Sequence, residues 1–173
     1  MGYSTMKRDH SHYAGQIGGL GGKNTNDLAK ETDLAIAVGT KLADFTTGSW
    51  ANFENEKFKL VSINVSRFDA NKHLAQAIVG DAKVSLIELS KALGDWKVGD
   101  EWNEKSQREL KIWNEHIDKE SAPTNQEVPS YVQVIGAIYR NSEPTDIAVT
   151  AAGGLVGEVV QVWRPKELNT HES

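Results

Sequence analysis

The stretch that most limits what this chain can become runs from Asp33 to Trp50. Leu34-Ala35-Ile36-Ala37-Val38 is an uninterrupted apolar run that begins after an acidic residue and stops at Gly39. Such a run, without polar alternation, predicts a strand of a parallel sheet covered by helices on both faces. The residues that follow, up to Trp50, are hydroxyl-rich and hold one glycine and two aromatics. Loops of that kind follow the carboxyl ends of parallel strands, where open α/β sheets bind their ligands.

The rest of the chain fits a sheet of that type. Lys59–Val65 predicts a second strand, rich in β-branched residues, and Ala75–Asp81 a shorter third one. Ser66–Leu74 reads as a turn with a short helix between them. Asp81 is placed to cap a helix over Ala82–Leu93, whose Val84, Leu86, Ile87, Leu89 and Leu93 form one stripe predicted to be buried, and Gly94 supplies a stop. Asn24–Thr32 predicts an earlier helix, with Asn24 or Thr25 as its cap. Strands and helices alternating through short connections predict the α/β class, here a parallel, Rossmann-like sheet flanked by helices in three αβα layers.

Beyond Asp95 the character changes. Asp95–Ser121 is charged and carries Trp96, Trp102 and Trp113; Trp102, Ser106, Glu109, Leu110, Trp113 and Ile117 can form one ridge on a helix. Tryptophans so spaced read as packing anchors. Ala122–Asn125 is a break, Pro129 suits a first helical turn, and the next helix sets Tyr131, Ile135, Ile138 and Tyr139 on one face. Asp146–Ala152 predicts a fourth strand that runs through Gly153-Gly154-Leu155-Val156-Gly157 into a last helix. The tail from Pro165 shows no closing element. The expected organisation is 1–94, a partial Rossmann-like domain; 95–125, a helical linker; and 126–173, the start of a further domain.

Several chemistries are excluded or weakly supported. With no cysteine in 173 residues there are no disulfides, thiolate metal sites or cysteine nucleophiles, which suits the cytoplasm. A net charge of −5 argues against a nucleic-acid binder, and no apolar run reaches the ~20 residues needed to span a membrane. Met1–His12 lacks the apolar core of a secretion signal. His10 and His12 would need further ligands to hold a metal and read as solvated loop residues. The glycines of Gly15–Gly22 superficially suggest a dinucleotide fingerprint, but no strand precedes them and their spacing differs; a tight turn needing positive φ or close backbone approach is the expectation. The turn at Gly153–Gly157 offers backbone N–H groups to an anion, a pattern that many strand–helix turns share without binding anything.

Three strings carry a family resemblance. Asp33–Trp50, Val65–His73 and Val79-Gly80-Asp81-Ala82 resemble the central domain of thiamine-diphosphate-dependent enzymes of the acetolactate synthase superfamily. Within it, Asp44-Phe45-Thr46-Thr47-Gly48-Ser49, Asn64-Val65-Ser66 and Ala70-Asn71-Lys72 are most similar to the C–C bond hydrolases that open a cyclic 1,2-diketone in inositol breakdown. Ala152–Glu158 with Val162-Trp163-Arg164 resembles the start of the family's C-terminal, diphosphate-binding domain. The resemblance implies a fragment that enters within the central domain and stops after the first strand and helix of the third, and that is inactive alone. It implies thiamine diphosphate and magnesium in the parent enzyme, a polyol-derived diketone substrate, the missing domains as partners, and a homo-oligomer. Gly153, Gly154 and Leu155 are the implied cofactor contacts, and no catalytic or metal-binding residue is implied, Gly80-Asp81-Ala82 being no substitute for the family's magnesium motif. FAD is not expected, because Asn64 stands where an acid often ends the second strand. The loop Thr46–Trp50 either approaches the active-site entrance or packs on a neighbouring domain. A carboligase of the same superfamily and a non-catalytic nucleotide- or partner-binding module remain as alternatives. A sheet without its first strands should also leave an edge that recruits a second chain.

Overall fold

The computed structural model describes residues 6–151, 153–165, 167 and 171–172. Ala152, expected to end the fourth strand, therefore lies outside the described residues, as do the first five residues and parts of the tail. The elements are α1 (Lys23–Glu31), β1 (Leu34–Val38), α2 (Asp44–Thr47), β2 (Lys59–Asn64), α3 (Arg67–Ala70), a 3-10 turn (Lys72–Leu74), β3 (Gln76–Val79), α4 (Ala82–Leu93), α5 (Asp100–Glu120), α6 (Tyr131–Arg140), β4 (Ala148–Val149), α7 (Leu155–Val162) and β5 (His171–Glu172).

The predicted parallel sheet is present, in the order β1-β2-β3, with every pairing parallel. β2 is central: Ile63 is wholly buried, α3 packs on β2 and β3, and α4 on β2. One face joins Ala37, Leu42 and Leu60 in a small core that Trp50, Phe58 and Ala75 complete. The expectation that Leu34–Val38 is covered on both faces is corrected. Leu34, Ile36 and Val38 remain 46%, 45% and 37% exposed. Among the described residues β1 pairs with β2 alone, so it is an edge, and an apolar run reports only that a strand can be buried.

The stripe on α4 is corrected in the same way. Asp81 caps the helix as expected, its carboxylate accepting from the Val84 N–H at 3.0 Å, but Val84, Leu86, Ile87 and Leu93 are exposed. For α1 the N-cap is Gly22, not Asn24 or Thr25. Both polar side chains are buried inside the first turn, where Asn24 donates to Ala14 O at 3.2 Å and Thr25 to Gly22 O at 3.0 Å.

The glycine turn behaves as expected. Gly18 has φ of +95°, and a Cβ there would lie 2.1 Å from Phe45 O. Gly19 N donates to that carbonyl at 2.7 Å, and Asn26 holds both the N–H and C=O of Gly18 while accepting from Asn52. The glycines thus let the chain approach the loop after β1 closely, a use unrelated to a nucleotide.

α5 carries the expected ridge, with Ser106 and Ile117 buried and Trp113 half-buried. It packs on α1 and also on α6 and α7. Ile117, Ile135, Val159, Val162 and Trp163 form the second core, joined by Trp113 and Tyr139. α6 starts from a Ser130–Gln133 capping box, with Pro129 just outside rather than in the first turn. Of the expected face, Ile135 is buried and Tyr139 half-buried, while Tyr131 and Ile138 are 60% and 57% exposed; Gly136 is buried and Val132 half-buried beside them. A Cβ at Gly136 would stand 2.6 Å from that of Ser121, so this approach of α6 leaves no room for a side chain there. The fourth strand is only two residues long, and the tail does close on it: β5 pairs with β4 in parallel, Ala148 with His171 and Val149 with Glu172.

Candidate functional site

The carboxyl ends of β1 and β2 are bound into one loop cluster. Asn64, last in β2, donates to Thr40 O at 3.0 Å, and its carbonyl accepts from Ser66 N at 2.9 Å. The asparagine therefore spends its side chain on tying two strand ends together. Ser66 caps α3 through the Asp69 N–H at 3.3 Å. Lys72 pairs with Asp69 at 2.8 Å and donates to Lys41 O at 3.2 Å. The Lys72 ammonium, and after it the Ser66 hydroxyl, hold the Asp69 carboxyl below the usual carboxylate range.

His73 extends this network. Its Nε2 lies 3.2 Å from Leu42 O and its ring stacks on Trp50, centroids 3.9 Å apart. A carbonyl can only accept, so Nε2 carries the proton in that bond. Leu42, Ser49, Trp50, His73 and Leu74 all have positive φ, between 48° and 71°. Non-glycine residues in that region are strained, and here five gather in two facing loops. Sequence reasoning picked out the Thr46–Trp50 loop but missed His73, whose contact comes from 23 positions along the chain through a fold-dependent stack.

A cleft of about 810 Å³ runs beside β1. Leu34 to Val38 line it, with Leu28 and Ala29 of α1 and Trp102 and Ser106 of α5. Among the described residues its titratable lining consists of His12 and Lys97. His12 is engaged by Asn103 at 2.9 Å, and among the described residues no group of three or more His, Asp or Glu is placed to hold a metal ion.

Gly153, Gly154 and Leu155 stand together at the β4–α7 turn, all exposed. Gly153 has φ of +147°, and Gly154 is the N-cap of α7 with no side-chain bond. A Cβ at either glycine would meet nothing within 4 Å. Open backbone at a helix N-terminus is the kind of surface that a diphosphate can approach closely, so these residues fit such a group.

The family described as thiamine pyrophosphate enzyme, central domain, matches residues 1–89. Among curated proteins the chain is similar to 3D-(3,5/4)-trihydroxycyclohexane-1,2-dione hydrolases. The one from Geobacillus thermodenitrificans is 32% identical over 191 residues, that from Clostridium tetani 31% over 196, and that from Bacillus anthracis 29% over 194. Each match covers 98% of this chain and 30% of the relative, so the chain spans about 30% of the length of the curated relatives it matches.

Proposed function

The chain belongs to the thiamine pyrophosphate enzymes, whose central domain its residues 1–89 match, and from that premise we propose that it is part of a thiamine-diphosphate-dependent hydrolase that opens a cyclic 1,2-diketone. One observation carries the reaction: relatives named for such a hydrolase align with 98% of the chain, through both the sheet and the α5–α7 region. The net reaction breaks one ring C–C bond and adds one water, giving an open-chain acid. Thiamine diphosphate, when bound, supplies a nucleophilic carbon and an electron sink.

The contribution of this chain is positional. The N–H groups of Gly153, Gly154 and Leu155 hold the diphosphate, where the bare turn leaves room for it. α5 spans the division we draw between 1–94, 95–125 and 126–173, packing on α1 and on α6 and α7, and so couples sheet to turn. The substrate is a polyol-derived diketone. Magnesium, when bound, would supply charge neutralisation at the diphosphate, its ligands coming from outside this chain. The enzyme works in the cytoplasm as a homo-oligomer, with neither nucleic acid nor membrane as partner; the unpartnered apolar side of α4 supports assembly.

The test is an assay of the longer enzyme with the trihydroxycyclohexanedione, with and without thiamine diphosphate. The expected product is heavier than the substrate by one water and forms only with the cofactor. A product that joins two substrate carbon skeletons would replace this reading with a carboligase, and no reaction would remove it.

A further inference from the structure

We propose that Leu20 is a positioning residue for the diphosphate turn: held out by a tightly packed glycine turn, its side chain sets where the first turn of α7 lies, and with it the backbone N–H groups of Gly153, Gly154 and Leu155. The inference rests on the reading that these groups meet the diphosphate, and adds a residue that acts on them from the opposite end of the chain. In Gly18-Gly19-Leu20-Gly21-Gly22, Leu20 is the one residue that carries a side chain. Its neighbours are pressed against the rest of the molecule. A Cβ at Gly21 would lie 2.2 Å from Gln16 O, one at Gly22 2.9 Å from the Trp113 ring, and one at Gly18 2.1 Å from Phe45 O. Gly21 N donates to Gly18 O at 3.0 Å, and Asn26 bonds both backbone groups of Gly18, at 2.8 and 3.1 Å. Backbone in such close contact leaves its one side chain little choice of position, so the loop after β1 and α5 together fix where Leu20 reaches.

Leu20 reaches α7. Outside the helix's own backbone, an added Cβ at Gly157 would meet Leu20 Cδ2 at 3.5 Å. Gly157 stands three residues after the N-cap Gly154, so the contact falls on the first turn of the helix. Glycine weakens a helix interior, and here its bare backbone is what lets Leu20 come close. Farther along, Val159 and Val162 anchor α7 in the second core. The start of the helix has no such anchor: Gly154 gives no side-chain cap, and Leu155 is 43% exposed. The space between the glycine turn, α5 and α7 is nearly filled, since the cavity that Leu20, Gly22, Trp113 and Val160 help to line is about 30 Å³, room for one water. Close packing of this kind transmits displacement. N–H groups already held in place bind an anion without the cost of ordering them first, and Leu20 supplies that order to the turn.

Two measurements test this. In the 173-residue chain, Leu20→Ala should move the amide NMR signals of Gly153, Gly154 and Leu155, Leu20→Met should restore them, and Ile63→Val, a mild packing loss in the sheet, should leave them in place. Gly157→Leu, which pushes on the contact from the helix side, should move them as Leu20→Ala does. In the longer enzyme, titration calorimetry with thiamine diphosphate should show Leu20→Ala binding about fivefold more weakly, with Leu20→Met near the unaltered protein. The inference is overturned if Leu20→Ala leaves the three signals unmoved, if Ile63→Val moves them equally, or if the affinity of Leu20→Ala is unchanged. An unchanged affinity in Leu20→Ala beside a weakened one in Gly154→Val would sink this inference and leave the turn as the cofactor site. Unchanged affinity in both would remove the turn from that site, and this inference with it.

Discussion

The His73 and Trp50 rings lie nearly parallel, 18° apart with centroids at 3.9 Å, and join the loop after β2 to the loop after β1. Offset stacking of this sort contributes about 0.5–1.5 kcal/mol beyond area burial. The same imidazole reaches Leu42 O at 3.2 Å, so two weak contacts converge on one residue whose own backbone is strained at φ of 56°.

A double-mutant cycle isolates that stack. His73→Ala and Trp50→Leu should each destabilise in urea unfolding, and their combination should cost less than the sum by about 0.5–1.5 kcal/mol. His73→Gly should be less damaging than His73→Ala, because glycine accepts the positive φ. Strict additivity would mean that the rings only lie side by side.

Asp69 makes the cluster sensitive to acid. Its folded pKa is depressed, chiefly by Lys72, so its contribution is present above the unfolded carboxylate pKa of about 3.9 and is lost as pH falls through the lower, folded value. Stability measured by urea unfolding should therefore rise with pH across the acid range. Asp69→Asn and Lys72→Met should each flatten that rise, and high salt should weaken it. An unchanged slope in both variants would assign the acid response to other carboxylates.

Two glycines with positive φ should behave differently. Gly18→Ala drives a methyl to 2.1 Å from Phe45 O, against backbone, and should cost more than about 3 kcal/mol or prevent folding. Gly39 has φ of +65° with nothing within 4 Å of an added Cβ, so Gly39→Ala should cost only the backbone strain, about 1–2 kcal/mol. Thermal melts of the two variants make the comparison; equal losses would contradict the close approach at Gly18.

The turn before α7 should tolerate change structurally but not functionally. Gly154 has φ of −64° and open space around it, so Gly154→Val should shift the stability of this chain by less than about 0.5 kcal/mol. In the longer enzyme the same change should weaken thiamine diphosphate at least tenfold in titration calorimetry. Unaltered affinity would take Gly154 out of the cofactor site.

Element types were legible from periodicity and caps. The three parallel strands, the Asp81-capped helix, the Trp113–Ile117 ridge and the glycine turn all follow from local pattern. Which faces are covered did not, because an apolar stripe states what a surface can bury and not what lies against it. Leu34, Val84 and Leu86 were all expected inside for that reason, and all are exposed.

By itself, then, the amino-acid order determined an α/β chain with a parallel sheet, a loop-bearing first strand and a resemblance to one enzyme family, since backbone preference and hydrophobic period act over a few residues. Only the tertiary structure decided that β1 is an edge, that Gly136 packs closely on Ser121, that His73 lands on Trp50, and that the tail pairs with β4. Each of those depends on contacts between distant segments, whose geometry is set by packing and strand pairing and leaves no local mark in the sequence.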